Sequence, residues 1–111
     1  MKRDENFFQI DQIEQERALA GKSYLEFLRV PAMSAGVYTL PAGATDLQKP
    51  HREDEMYYVV RGRARVRVGA GAEERAISQG SVIFVAAQVE HHFYDIAADL
   101  VVLVVFAPAE T

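Results

Sequence analysis

Short segments rich in valine, tyrosine and phenylalanine dominate the sequence, and glycine, proline, aspartate or asparagine separates most of them. β-Branched and aromatic residues favour extended strands, and the separating residues favour turns. The segments are YLEFLRV (24–30), AGVYTL (35–40), EMYYVV (55–60), RARVRV (63–68), ERAIS (74–78), SVIFVA (81–86), HHFYDI (91–96) and LVVLVVF (100–106). Many short strands joined by turns predict an all-β, antiparallel sandwich or barrel rather than β-α-β units.

One short helix is predicted ahead of these strands. Asp11 precedes Glu14 by three residues, which is the spacing of a capping box, although aspartate replaces the usual serine or threonine. Ile10, Ile13 and Arg17 share one helical face, and Gly21 is suited to end the helix. We expect residues 1–22 to form an N-terminal segment of the same domain as the strands in 23–111.

Composition excludes several classes of function. The 111 residues are enough for one domain, and 50% of them are hydrophobic, which predicts an ordered core. A net charge of -4 gives no general attraction to nucleic acid, and zero cysteines exclude disulfides, thiol nucleophiles and thiolate metal sites. The apolar run at 100–107 is too short to span a bilayer, and no apolar signal core follows the first residues. We expect a cytoplasmic protein with no nucleic-acid or membrane partner.

Two strands carry patterns that bear on surfaces. Arg63, Arg65 and Arg67 alternate with apolar residues, so they share one face, and a turn at 69–71 would bring Glu73 and Glu74 opposite them. A solvated, salt-bridged face is the simpler interpretation, and a ligand or partner patch is the alternative. The segment at 100–106 is apolar on both faces, which indicates burial between two sheets or at a subunit interface. This second interpretation predicts a homodimer.

The stretch KPHREDEMYYVVRG, residues 49–62, suggests half of a metal site. If it enters a strand, His51, Glu53, Glu55 and Tyr57 share one side. Burying an unpaired carboxylate costs several kcal/mol, and a bound cation could offset that cost. The alternative is an exposed acidic loop ahead of the strand.

The spacing of two motifs resembles that of the cupins, a superfamily of small β-barrels. The first cupin motif runs glycine, five residues, His-x-His, three or four residues, glutamate, six residues, glycine. Counting from Gly43 puts Lys49 at the first histidine place, His51 at the second, Glu55 at the glutamate and Gly62 at the last glycine. The second motif, counted from Gly80 in GSVIFVAAQVEHHFYD, puts His91 at its histidine and Asp95 at its asparagine. The resemblance implies an antiparallel double-stranded β-helix, a jelly-roll barrel in 23–111 preceded by the short N-terminal helix.

The resemblance also implies a metal site with one ligand changed. His51, Glu55 and His91 match the cupin ligands and would suit a divalent ion such as Fe, Mn, Ni or Zn. Lys49 replaces a family histidine, and an ammonium cannot coordinate a metal at neutral pH. Lys49 would either point away or attract an anionic ligand at the pocket rim, and Gln48 could fill the missing position through its carbonyl oxygen.

Several neighbouring side chains complete the candidate site. His92 follows His91 on a strand and should face the opposite way, in a structural or surface role. Tyr38, Tyr57, Phe84 and Phe93 are candidate pocket walls, with ordinary barrel packing as the alternative. Ala-Ala-Gln replaces the family's Pro-x-Gly before His91, which changes the turn without removing the ligand.

Two function classes remain open, because one fold hosts many chemistries. The first is a metal-dependent enzyme, for instance a dioxygenase or isomerase that chelates a small organic molecule. The second is a non-catalytic module that binds or senses a small ligand. The sequence names no catalytic residue beyond the candidate ligands, and it names no substrate.

Overall fold

A computed structural model describes residues 6–69 and 73–111, without the side chain of Glu73. Helix α1 (Ile10–Ala20) precedes six strands: β1 (Tyr24–Val30), β2 (Met33–Leu40), β3 (Asp54–Val68), β4 (Glu73–Ser78), β5 (Val82–Val85) and β6 (His91–Ala107). The strands form one antiparallel sheet in the order β1-β2-β6-β3-β4, and β5 pairs with β3. The all-β antiparallel prediction is confirmed.

Two pairs of predicted short strands are in fact single long strands, so their separation was wrong. The segments at 55–60 and 63–68 join in β3, and those at 91–96 and 100–106 join in β6. β3 and β6 pair along their whole lengths, from Asp54 opposite Ala107 to Val68 opposite His91. The register shifts between Val59 and Arg65, so the ladder bends there. Local turn residues marked this bend, and the sequence pattern could not distinguish it from a chain reversal.

Gly62 lies at the bend, where β3 passes close to β6. Its φ of 102° is a conformation that side chains other than glycine rarely adopt. A Cβ at this position would meet the carbonyl oxygen of Asp99 and would lie 2.7 Å from the Cα of Leu100. The bend therefore requires glycine for two reasons, the backbone angle and the close approach of the strands.

Gly62→Ala is expected to lower the free energy of unfolding by at least about 3 kcal/mol, because backbone strain of about 1–3 kcal/mol is added to a backbone clash. Gly80→Ala is the matched control, since Gly80 has a φ of 92° and open space around its Cβ position. Urea titration should show a much larger loss for Gly62→Ala than for the control. Equal losses would mean that the close approach contributes nothing.

Helix α1 covers part of the outer face of the sheet. Its Ile13 packs on Val37 and Val101, and all three side chains are buried. Gly21 ends the helix in a left-handed conformation, as predicted. The capping-box prediction was wrong: Gln9 is the N-cap, and Asp11 lies inside the first turn, where its charge favours the positive end of the helix dipole. No helix in the described part of the chain is long and apolar enough to cross a membrane.

The arginine face of β3 is paired in part as predicted. Arg67 donates to the Glu74 carboxylate at 2.6 Å, and Arg65 donates to the hydroxyl of Tyr94 at 3.3 Å. The side chain of Glu73 and most of the predicted turn at 69–71 lie outside the described residues. The contacts that are described fit a solvated, hydrogen-bonded face.

The two faces of β6 are buried by different partners. Val102, Val104 and Phe106 belong to the barrel interior, whereas Val101 packs under the helix. Farther along the outer face, β3 and β5 expose large apolar side chains; these are Met56, Tyr58, Val82 and Phe84. Burial between layers thus explains only part of the two-faced pattern, and the homodimer stays a prediction.

Candidate metal centre

The bend of the β3–β6 ladder brings its two ends face to face inside the barrel. Glu55 lies at the start of β3, opposite Phe106, and His91 lies at the start of β6, opposite Val68. The side chains of Glu55 and His91 both point inward, and Glu55 is only 2% and His91 4% exposed. His51 lies in the loop before β3, which begins at Asp54. Glu55 and Tyr57 therefore share the inward side of the strand as predicted, whereas His51 reaches the interior from a loop.

The three predicted ligands form one cluster. His51, Glu55 and His91 each present one ligand atom, and these atoms lie within 4.8 Å of one another. The Nε2 atom of His91 is 3.2 Å from Oε1 of Glu55, and Nε2 of His51 is 3.9 Å from the same oxygen. The barrel thus brings together two imidazoles and one carboxylate in an arrangement that could hold a metal ion.

The hydrogen bonding of His91 turns a lone pair toward Glu55. Its Nδ1 lies 3.0 Å from the carbonyl oxygen of Val89, which can only accept, and this hydrogen bond favours the proton on Nδ1. In a neutral imidazole, Nε2 then carries a lone pair directed at a carboxylate. Burial acts to lower the pKa of His91, but the Glu55 carboxylate and the Val89 carbonyl outweigh it, and the pKa is raised above its ordinary value. A cation, either a proton or a metal ion, is favoured between His91 and Glu55.

The donor atoms fit a divalent ion. Two atoms bound at about 2.0–2.2 Å to one metal lie about 3.0–3.4 Å apart at the usual angles, and the His91–Glu55 separation falls in that range. Both oxygens of Glu55 and Nε2 of His91 are buried and make no hydrogen bond to the described residues. Such atoms are costly to bury, and coordination would satisfy them.

Gln48 turns its carbonyl oxygen toward the cluster. Its Nε2 donates to Oδ2 of Asp46 at 2.9 Å, and its Oε1 accepts from the Tyr57 hydroxyl at 2.9 Å. Burial raises the pKa of the Tyr57 phenol well above its ordinary value, with a contribution from Glu55, so the hydroxyl keeps its proton and donates. The amide orientation is fixed by both neighbours, and Oε1 lies 3.4 Å from Nε2 of His51.

Asp46, which the sequence interpretation missed, anchors this loop. Its buried carboxylate accepts hydrogen bonds from the backbone N–H groups of Gln48 and Phe93, from the Gln48 side chain and from the Tyr38 hydroxyl. Four donors satisfy the charge and hold the loop against β6. Only its position two residues before Gln48 could have suggested this role.

Lys49, at the place of the family histidine, is exposed. It does not line the cavity beside the three ligands. Its proposed attraction for an anionic ligand stays a prediction. Glu53 is buried, but its carboxylate accepts from the backbone N–H and the hydroxyl of Thr111 and takes no part in the cluster.

Of the other predicted neighbours, some lie inside the barrel and some on its outer face. His92 lies outside the cluster, with its ring 5.6 Å from that of Tyr94. Phe93 is buried and packs against Tyr57. Phe84 was wrongly assigned to the pocket wall, because it lies on the outer face of β5 and is 63% exposed.

A cavity of about 170 Å³ adjoins the cluster. Tyr24, Tyr38, Gln48, His51, Val104, Phe106 and Glu110 line it. The hydroxyl of Tyr24 is buried with no hydrogen-bond partner among the described residues, and its ring occupies space that any side chain at residue 36 would fill. A larger depression of about 550 Å³ between β4 and β5 contains none of the cluster residues. The smaller cavity is therefore the relevant one.

Comparisons with known proteins agree with this architecture. The cupin domain profile matches residues 36–106. The uncharacterized protein SCO3923 of Streptomyces coelicolor is 51% identical over 104 residues, which cover 94% of this chain and 97% of that protein. The crystal structure of TT1209 from Thermus thermophilus superposes with a TM-score of 0.71 at 25% identity, over 93% of this chain and 97% of that chain.

An RmlC-like cupin family protein from Methanocaldococcus jannaschii, with a double-stranded β-helix fold, superposes with a TM-score of 0.68. It is 16% identical and the match covers 77% of this chain and 78% of that chain, so it supports the fold alone. The profile match, the antiparallel barrel and the ladder that faces Glu55 toward His91 lead to one conclusion. The chain belongs to the cupin family.

Proposed function

We propose that this cupin binds one divalent metal ion through His51, Glu55 and His91, with Oε1 of Gln48 as a fourth ligand. The observation that carries the proposal is the buried Glu55 carboxylate facing the Nε2 lone pair of His91 at 3.2 Å. Gln48 supplies a neutral oxygen where Lys49 has replaced the family histidine, and Tyr57 and Asp46 hold that oxygen in place.

The ligand set favours a metal with open positions. Two histidines and one carboxylate are the ligands typical of non-haem Fe(II) oxygenases, and Mn and Ni accept the same donors. An ion with six coordination positions would keep two of them for other ligands if these residues and Gln48 held it. A metal with open positions polarises a bound oxygen or orients a chelated substrate. We infer a dioxygenase-like or isomerase reaction on a small organic molecule.

The cavity indicates the size and polarity of that molecule. Its volume of about 170 Å³ is well below the roughly 300–1,000 Å³ of pockets for drug-sized ligands. Val104 and Phe106 supply an apolar wall, and the Tyr24 hydroxyl supplies a donor without a protein partner among the described residues. Burial raises the pKa of Tyr24, with Glu110 contributing, so this hydroxyl donates rather than ionises. We infer a small ligand with one oxygen on the metal and a second acceptor near Tyr24.

A non-catalytic binding or sensing module is the second candidate. Glu110 is the one carboxylate among the described residues that line the cavity, and it lies 3.2 Å from Nδ1 of His51. That carboxylate is engaged, which leaves the described cavity wall without a free base. Oxygen consumption and product formation by the Fe(II)-loaded protein, followed with small hydroxy and keto compounds, separate the two candidates: either form of turnover supports an enzyme, whereas saturable binding with neither supports the module.

Elemental analysis tests the metal proposal. Protein purified without metal-affinity steps is expected to hold about one divalent ion per chain, and His51→Ala is expected to hold much less, because it removes one of the clustered donors. Gln48→Ala should weaken binding, whereas Lys49→Ala, a change at its exposed neighbour, should not. Equal metal content in the wild type and His51→Ala would refute the assignment.

A further inference from the structure

The last described residues are attached to the barrel beside the candidate metal centre. The backbone N–H of Glu110 donates to the hydroxyl of Ser34 at 2.9 Å, and Ser34 is completely buried. Arg29 donates to the carbonyl oxygen of Glu110 at 2.7 Å. Thr111 donates twice to the buried carboxylate of Glu53. These contacts fix the backbone on both sides of the Glu110 side chain.

The Glu110 carboxylate meets the face of His51 that points away from the other ligands. Its Oε2 lies 3.2 Å from Nδ1 of His51, whereas Nε2 of His51 lies 3.4 Å from Gln48 Oε1 and 3.9 Å from Glu55 Oε1. Both ring nitrogens of His51 therefore face an acceptor. The proton favours Nδ1, because the Glu110 oxygen is nearer and charged, whereas Gln48 offers Nε2 a neutral amide oxygen at 3.4 Å.

His91 shows the same arrangement with a different acceptor. Its Nδ1 faces the Val89 carbonyl at 3.0 Å, and its Nε2 faces Glu55. Both histidines of the cluster therefore present Nε2 to a common centre. One is oriented by a backbone carbonyl, and the other by a side chain more than fifty residues away in sequence.

We propose that Glu110 is a positioning residue that holds His51 in the Nδ1–H tautomer and directs its Nε2 at the metal. A carboxylate on the far nitrogen of a ligand histidine fixes the ring and increases its basicity, and losing such a partner typically costs about 10–100-fold in metal affinity. The effect on metal affinity rests on the proposed function. The tautomer does not, because it can be measured in metal-free protein.

Nitrogen-15 NMR of the histidine rings in metal-free protein tests the orientation. The pH is raised above about 8 until the ring shifts stop changing and both imidazoles are neutral, because the pKa of His91 is raised. The wild type should show both cluster histidines as the Nδ1–H tautomer. In Glu110→Ala, His51 should become a mixture of tautomers while His91 stays unchanged. Glu110→Gln should keep the Nδ1–H tautomer, since the amide oxygen can still accept. An unchanged His51 in Glu110→Ala would overturn the proposal, and so would an equal change at His91, which would indicate general disruption.

Zn²⁺ affinity, measured by competition with a chromophoric chelator, tests the consequence. Glu110→Ala should bind about 10–100-fold more weakly than the wild type. Asp11→Asn is the control, because it removes one negative charge from the exposed face of α1. Equal weakening in both variants would mean that net charge alone explains the weaker Zn²⁺ binding, and it would overturn the positioning role. If the wild type bound no metal but showed the predicted tautomers, the proposed function would fail and the orientation by Glu110 would stand.

Discussion

Replacing His91 with alanine is expected to weaken binding of a divalent ion by at least about 100-fold, more than the loss of an outer hydrogen-bond partner typically costs. His91 supplies a buried imidazole whose lone pair is already oriented by Val89. Without it, Glu55 loses its nearest cationic partner as well as a fellow ligand. A remaining set of His51, Glu55 and Gln48 has one imidazole, and a smaller nitrogen contribution favours weaker binding of Fe, Ni and Zn.

His92→Ala is the matched control for this change. It removes the same ring from the next position of the same strand, where the side chain faces outward beside Tyr94. Thermal unfolding gives a second measurement, since metal at 100 times its dissociation constant should stabilise the wild type by about 2.7 kcal/mol. His92→Ala should show the same gain, and His91→Ala should show almost none. A similar loss in both variants would contradict the assignment of His91 as a ligand.

The strands could be predicted where local pattern decides them. β1 begins and ends at the predicted residues, 24 and 30, because its apolar run is bounded by clear turn residues. β3 and β6 were each divided in two, since a residue such as Gly62 marks a bend and a turn alike. Only the pairing partner distinguishes these cases, and Asp99, the residue that crowds Gly62, lies far along the chain.

The candidate site likewise contains residues that the sequence predicts and residues that it does not. Motif spacing was enough to predict the cluster of His51, Glu55 and His91, and the lysine at the place of a family histidine pointed to its neighbour Gln48. Glu110 lies outside both motifs, and Asp46 occupies a position that the first motif leaves unspecified, so spacing could not identify either residue; each reaches the site through tertiary contacts. The clustered candidate ligands could therefore be predicted from a pattern, whereas the residues that contact and orient their side chains depend on the folded chain.

Holding Glu55 in the barrel has a consequence for stability. Its two oxygens are buried and unsatisfied by hydrogen bonds from the described residues, so a positive charge is needed nearby to offset the desolvation cost. Because the pKa of His91 is raised, we expect a proton on His91 to supply that charge in metal-free protein, and the metal to supply it in the proposed holoprotein. Proton and metal compete for the same position, and this competition makes stability depend on pH in opposite directions with and without metal.

Metal-free protein is expected to lose stability as the pH rises above about 6.5, the ordinary pKa of histidine. The pKa of His91 is raised in the folded state, so its contribution is complete below the unfolded value of about 6.5 and disappears as the pH passes the folded value. The loss amounts to about 1.4 kcal/mol for each unit by which the pKa is raised. With saturating Zn²⁺ the sign reverses, because binding requires His91 without its proton and metal affinity increases with pH. Urea midpoints measured with a chelator and with Zn²⁺ should therefore diverge as the pH rises.

His91→Gln isolates the contribution of His91 to this pH dependence, since subtracting the metal-free curve of the variant removes the contributions of the other titrating groups. A wild-type difference curve that stays flat, or that rises with pH in the chelator, would show that no proton on His91 balances the buried Glu55.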